Sequence, residues 1–531
     1  MNPLRVGVGL VAAMAGAALL LGVGPAPVVG SARAAAGGAS PARCATSDAA
    51  HGTVASPAPL GGMAGMAGMA ERPSHHPMQE LRDALAHTPP GGTLRVAPGV
   101  YRGALVIDHR VTLVGVGHPT LQGDGTGTVL TIRAAGTTVR DLMIEGSGPG
   151  PVGNPAGVHV QADHVTVTHL HIRDSYTGVW VEGGKDAQII GNVIQGRKNV
   201  AASGETPRMA GMVMGSGQEG AADGRGDGVS LFSAISPVVC GNIMADVRDG
   251  VYLEYGRGTR IEGNSVVRGR YAVHSMYGTS VTVAGNHFAT NESGPVMMYG
   301  GPVTLEGNVI RDEQSPATGF GVLLLDVGGA RLLGNVIVSN RVGLQINGPV
   351  GDPRPTAVEL NTIALNQVGV GLYPTANAAL SRNSLVENTV QVLGLGPDGG
   401  GGDSAWSRSG VGNYWSDYRG YAGSGRGVGV IPQREGASAG YLLASDPTLL
   451  ALVSSPAYTL LRTIEERTTG QQPVSVDRFP IVDPRSPALP STTVHAAFGT
   501  GLVGVVSLGL CSLALLRCTR RRQLPSGRKK P

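Results

Sequence analysis

The sequence predicts an all-β chain, a right-handed parallel β-helix of 22-residue coils with an N-terminal cap helix, C-terminal helices and a single C-terminal transmembrane helix. Three observations carry the prediction. Gly-Asn pairs stand at 191–192, 241–242, 263–264, 285–286, 307–308 and 334–335; the four from 241 to 308 share one 22-residue spacing, and Asn361 and Asn383 continue the series. A fixed period of that length signals stacked repeats. Each pair is flanked by short apolar alternations such as Val251-Tyr252-Leu253-Glu254-Tyr255, which have strand rather than helix periodicity. Glycine is abundant at 84 residues, yet without the three-residue period of collagen, and aromatics make up only 4%.

Along the chain, residues 1–36 read as a secretory signal: Arg5, an apolar run from Val6 to Val23, then Ala34-Ala35-Ala36. No Arg-Arg pair precedes the run, which points to the general secretory route. Residues 37–77 form an Ala/Gly/Pro/Ser linker without periodicity, to be read as flexible. A short amphipathic helix over Met78–His87 caps the first coil, and coils fill 78–425. At about 4.8 Å per coil, a dozen or so give a rod of roughly 55–60 Å.

No single coil buries its own apolar residues; stacking lines an interior with Val, Ile and Leu, and the amides of Asn242, Asn264, Asn286 and Asn308 are expected to form a hydrogen-bonded ladder. In the Gly-Asn turn, Asn is the residue expected in left-handed backbone. The interval from Gly191 to Gly241 is more than twice the length of a coil, so roughly Arg197–Gly224 is expected to leave the rod as a long loop.

Beyond the coils, 426–495 reads as a helical and proline-rich stem, with amphipathic helices over Pro447–Thr468 expected to cap the rod. Ala496–Leu516 carries no charge anywhere along its length. As a helix rising about 1.5 Å per residue it reaches roughly 30 Å, enough to cross a bilayer. The basic tail 517–531 that follows, from Arg517 to Lys530, stays inside by the positive-inside rule. The expected product is an extracytoplasmic protein tethered at its C-terminus. The formal charge of +4 is concentrated in that tail, and nothing resembles a nucleic-acid surface. Cys44 and Cys240 are the two cysteines outside the span and its inner edge; a bridge between them and two free thiols are both compatible with the sequence.

The candidate site follows from the register. Aligned on the 22-residue period, Val251, Val273 and Pro295 share one inward position, and Leu253, Ser275 and Met297 share the next. The alternate positions face out: Tyr252, His274 and Val296 in one ladder, Glu254, Met276 and Met298 in its neighbour, with Tyr255, Tyr277 and Tyr299 closing the strands beside Arg270 and Tyr271. Trp180 and Phe232 extend these ladders upstream. Thioethers and imidazole favour Cu(I), so the face reads as a soft-metal or partner-docking surface; packing beneath a covering loop is the competing reading.

The linker adds Met63, Met66 and Met69, then His75, His76 and Met78, and the long loop adds Met209, Met212 and Met214. The linker fits Cu(I) capture and equally fits low complexity, whereas the loop methionines are further candidate ligands or belong to the loop that covers the outward face. A carbohydrate enzyme is the rival from another class, because β-helices host lyases, epimerases and glycosidases, which need acids on an outer face. Asp227, Asp249 and nearby Asp246 are the acids on offer, but the first two begin Asp-Gly turns, where a capping role is the plainer reading. A surface adhesion rod suits the tether and leaves the Met/His content unexplained.

The runs GDGVSLFSAISPVVCGN, DGVYLEYGRGTRIEGN, RGRYAVHSMYG and SGPVMMYG, with TLRVAPGVYRGALVIDHRVTLVG, GNYWSDYRGY and SPAYTLLRTIEER, resemble the NosD family of nitrous oxide reductase maturation proteins over about 78–480. RYAVHSMYG is the most specific piece. The resemblance implies an extracytoplasmic β-helix, not itself an enzyme, that works with an ABC-type ATPase and permease to supply copper or sulfur for the copper–sulfur centre of the reductase. It further implies transient copper, no tightly bound cofactor, and outward residues that meet a copper chaperone or the reductase. The C-terminal span and the Met/His linker depart from the family pattern.

Overall fold

The computed structural model describes residues 77–150, 152–197, 224–349, 354–396, 401–423, 427–435 and 473–484, with isolated positions at 352, 455–457, 460, 464 and 487. The signal segment, nearly all of the linker, the 198–223 loop, most of Pro447–Thr468, the apolar run 496–516 and the basic tail lie outside the described residues. Among the described residues, no helix is long and apolar enough to cross a membrane.

Short strands alternate among three parallel sheets of 12, 13 and 12 strands, each strand pairing with its equivalents one coil before and one coil after. This is a parallel β-helix of about 12 coils, of the right-handed type that parallel crossovers follow. The first sheet runs from Thr93–Val96 to Ala378–Ser381 and the second from Val100–Arg102 to Tyr414–Trp415. The third runs from Leu105–Ile107 to Val390–Gly394 and carries the candidate site. Inward ladders of Val, Ile and Leu, for example Val167, Ile189, Val239, Ile261 and Val283, are fully buried along the whole stack. The interior is a single apolar column.

The turn joining the first and second sheets follows the Gly-Asn pairs, with one difference from the sequence reading. Glycine takes the left-handed conformation, as at Gly263 and Gly285 (φ +61° each), whereas Asn turns inward. Glycine occupies that conformation without a Cβ penalty. The freed amides stack: Asn192, Asn242, Asn264, Asn286, Asn308, Asn335, Asn361, Asn383 and Asn413 are all unexposed. Each Nδ2 donates to the next Oδ1 at 2.8–3.0 Å.

A second column follows the turn into the third sheet, through Asn291, Glu313, Asn340, Asn366 and Asn388. Where the third sheet begins, glycine recurs for a steric reason. A Cβ on Gly250 would sit 2.5 Å from the Ala272 carbonyl oxygen and 2.7 Å from the Val266 methyls.

Both ends are closed. The cap helix α1 spans Pro77–His87, and the i, i+3, i+7 face of Met78, Leu81 and Leu85 covers the first coil. Arg82 Nη2 donates to the Ala104 carbonyl at 2.7 Å. At the far end, the described positions Pro456, Ala457, Leu460 and Ile464 of the expected stem helices are helical, while Gln433–Glu435 and Ser475–Asp477 form an antiparallel pair that the helical reading of the stem did not include. Trp406 and Trp415 fill the last coil, with ring centroids 5.4 Å apart. Asp477 ends the first amide column, accepting from Asn413 N at 2.7 Å and from Trp415 Nε1 at 3.0 Å. The GNYWSDYRGY stretch therefore serves as a plug, with Tyr418 donating to the Ile431 carbonyl at 2.9 Å. Cys240 is buried and disulfide-bonded, its partner lying outside the described residues.

Candidate functional site

The register of the third sheet follows the 22-residue alignment. Tyr252 pairs with His274 and His274 with Val296, while Glu254 pairs with Met276 and Met276 with Met298. Trp180 precedes Ser230 and Tyr252 in the first ladder, and Phe232 precedes Glu254 in the second. Val251, Val273, Leu253 and Met297 are buried on the opposite side, so the two ladders do face out.

Facing out does not mean exposed. His274 is 7% accessible and Val296 0%, while Tyr252, Glu254, Met276 and Met298 are half-buried. The rings of Tyr252 and Tyr271 each lie 5.1 Å from the His274 ring. Arg270 sits over Tyr271 at 4.5 Å and Arg248 over Tyr252 at 5.5 Å, within cation–π range.

Behind His274 stands a charge network that the sequence reading missed. Arg248 grips Asp227 with two bonds of 2.8 and 2.9 Å, and Arg270 grips Asp249 with two of 2.9 and 2.7 Å. Asp249, fully buried, also accepts from His274 Nδ1 at 3.1 Å and from Tyr271 N at 3.3 Å. Burial alone would push the Asp249 carboxyl up, but the Arg270 guanidinium and His274 outweigh it and hold Asp249 well below the usual carboxylate range. Arg248 is held above its ordinary value chiefly by the Asp227 charge, and Arg270, against its burial, by Asp249. Asp249 is thus no simple turn residue. The signal was available: each Asp precedes its Arg by one position less than a full coil, which places the partners side by side on neighbouring coils.

The chemistry follows from the hydrogens. Arg270 Nη2, 3.4 Å from His274 Nδ1, donates to Asp249 Oδ2. His274 Nδ1 lies 3.1 Å from Asp249 Oδ2, which accepts an Nδ1–H, and Nε2 is the ring nitrogen left outside that bond. A carboxylate behind an imidazole is the usual support of a metal-ligating histidine. Met276 lies two residues along the same face, about 7 Å away between Cα atoms, and Met298 one coil further. Tyr252 Oη donates to Glu254 Oε2 at 3.0 Å and lies 3.8 Å from Met276 Sδ. Burial, then the Glu254 charge, raises the Tyr252 phenol and keeps it a donor.

Beside this cluster Tyr255, Tyr277 and Tyr299 stack with centroids 5.0 and 5.6 Å apart, and Phe232 meets Tyr255 edge-on at 6.2 Å. All three tyrosines are held at φ +54° to +56°, a backbone region that costs a bulky residue about 1 kcal/mol each. Tyr255 and Tyr277 are 55% and 41% exposed, which makes their edges the most accessible part of the face.

The remaining candidates are placed elsewhere. Met63, Met66, Met69, His75, His76, Met209, Met212 and Met214 lie outside the described residues. Met78 does not join a surface His/Met cluster: it is 5% exposed, and its thioether packs against the first coil from α1. Among the described residues no three His, Cys, Asp or Glu side chains converge to hold an ion. The three acids named for a carbohydrate enzyme are each paired with an arginine, Asp227 and Asp249 as above and Asp246 with Arg268 at 2.7 and 2.8 Å.

Comparison with known proteins places this geometry in context. A family model described as periplasmic copper-binding protein (NosD) matches residues 210–420. A probable ABC transporter binding protein NosD of Pseudomonas aeruginosa is 30% identical over 413 residues, covering 74% of this chain and 90% of that protein. A protein of the same description from Stutzerimonas stutzeri is 31% identical over 385 residues, covering 70% of this chain and 82% of its own length. Among solved structures, a PL6 alginate lyase in complex with a trisaccharide aligns with a TM-score of 0.49 at 14% identity, over 66% of this chain and 84% of that one. The A-module of the mannuronan C-5 epimerase AlgE6 of Azotobacter vinelandii aligns with a TM-score of 0.47 at 17% identity, over 64% and 95%.

Proposed function

The chain belongs to the NosD family, and from that membership we propose that it is an extracytoplasmic accessory protein handling copper for the maturation of nitrous oxide reductase. The family is described as periplasmic and copper-binding, and the relatives are named as ABC transporter binding proteins. On this reading the chain works with an ABC-type permease and its ATPase, receives Cu(I) from a copper chaperone, and passes it to the reductase without catalysing a reaction. A signal at 1–36 and a span at 496–516 would export and tether it.

The observation that carries the reading is the alignment of His274, Met276 and Met298 on one outward face, with Asp249 behind the imidazole. Imidazole with thioether is a donor set that suits Cu(I) over harder ions. The flanking tyrosines have the composition of a protein-docking surface, where aromatic residues and Met are enriched. The test is to delete the gene and assay copper in the purified reductase. The expected result is a reductase lacking its copper–sulfur centre, restored by the wild-type gene; a fully metallated reductase refutes the maturation role.

A further inference from the structure

On the second sheet, far from the ladders above in sequence, the outward positions hold a second set of soft donors. Thr120, Met143 and His171 occupy one ladder in consecutive coils, paired in register. Leu121, Ile144 and Ile172, one residue on, are the buried inward ladder, so Met143 and His171 point outward. His118 stands two residues before Thr120 on the adjoining turn, held at φ +55°. Its ring reaches across the Met143 coil to lie 6.1 Å from the His171 ring, at an interplanar angle of 60°. Both histidines are exposed and Met143 is half-buried.

That spacing has a chemical meaning. An ion held by one nitrogen of each ring at about 2.0 Å lies roughly 3 Å from each ring centre, so two imidazoles in a near-linear arrangement about one ion have centroids about 6 Å apart, the arrangement that the 6.1 Å separation fits. Met143, in register between Thr120 and His171, supplies the candidate third donor. Asp141, two residues before Met143, is engaged by Arg140 at 2.6 Å, which leaves the His118 and His171 imidazoles and the Met143 thioether as the donors considered. Such a set selects a soft monovalent ion.

We propose that His118, Met143 and His171 form a surface Cu(I) site, separate from the His274 face. The choice of metal rests on the copper-handling reading; the site itself rests on the ring separation and the register. It lies outside the 210–420 segment that the family model matches.

The test uses purified full-length protein titrated anaerobically with Cu(I) against a chromophoric Cu(I) chelator, with ascorbate as reductant. The His118→Asn/His171→Thr double variant removes both nitrogens while keeping residues suited to left-handed backbone and to a strand. Met143→Leu conserves volume. Unchanged circular dichroism verifies folding in both. The double variant should bind one equivalent less than wild type, and Met143→Leu should weaken that equivalent at least tenfold.

Unchanged stoichiometry and affinity in the double variant overturns the proposal, as does loss of Zn(II) binding with Cu(I) binding intact. His274→Ala, titrated in parallel, separates the two sites. A loss confined to that variant overturns the His118 site and leaves the proposed function standing. Conversely, a loss in the double variant alongside a normally metallated reductase in the deletion strain supports the site and sinks the maturation role.

Discussion

Replacing Glu313 by Gln should stabilise the protein in a pH-dependent way. Glu313 occupies an asparagine position in the second amide column, fully buried, accepting from Asn291 Nδ2 at 3.1 Å while its Oε2 has no hydrogen-bond partner. Burial raises its carboxyl to about 8 from 4.5, outweighing the Asn291 hydrogen bonds. The folded chain therefore keeps a proton that the unfolded chain releases above pH 4.5. Below that value the group costs nothing relative to Gln. As pH rises the penalty grows by about 1.4 kcal/mol per unit, reaching roughly 3 kcal/mol at pH 7 and on the order of 5 near pH 8, where it levels off. Gln presents the same acceptor to Asn291 and never ionises. Urea denaturation of both proteins from pH 4 to 9 should show curves that coincide at the acid end and diverge steadily towards pH 8, the variant being the more stable. Parallel curves across that range would mean that Glu313 is solvated or paired, and would refute the reasoning.

Two further outcomes can be checked with the same denaturation measurement. Asn286→Ala should cost about 2–4 kcal/mol, because it removes the acceptor of the buried Asn264 N–H and Nδ2 together with the donor to Asn308; a loss under about 1 kcal/mol would mean that the amide column is dispensable. Asp249→Asn should cost about 3–5 kcal/mol by leaving the largely buried Arg270 without its counter-charge, whereas Asp246→Asn, facing the exposed Arg268, should cost under about 1 kcal/mol; equal costs would contradict the assigned burial.

The later coils were legible because their spacing is regular. From Asn242 to Asn308 every rung repeats at the same 22-residue spacing, so inward and outward ladders can be written down from the sequence alone, and the structure pairs them that way. Irregular coils hid the rest. Thr120, Met143 and His171 stand at unequal intervals, so the early ladder has no common period to align on. The second amide column was obscured by equally uneven steps between Asn291 and Asn388 and by Glu313 in an amide's place.

Exposure was the other gap. Parity along a strand gives the side a residue faces, but not what lies over it, and His274 is enclosed by Tyr252, Tyr271 and the Arg270–Asp249 pair that a 22-residue alignment does not bring together. The far cap is hidden because its closing segment, 473–484, lies well beyond the last coil in the chain, a distance over which no local pattern operates.

The amide column built on the Gly-Asn turns has a consequence for biogenesis. Each amide passes one side-chain hydrogen towards the C-terminus, to the next Asn Oδ1, and the other back to a carbonyl of the preceding coil, so each coil keeps one unsatisfied hydrogen until its successor is laid upon it. A chain threaded through a membrane with its N-terminus leading would zip vectorially, always with one hungry amide at the advancing front. Asp477 supplies the terminal acceptor, a latch that arrives last. A chain cut short before that latch would keep an open front, ready to recruit whatever strand it meets.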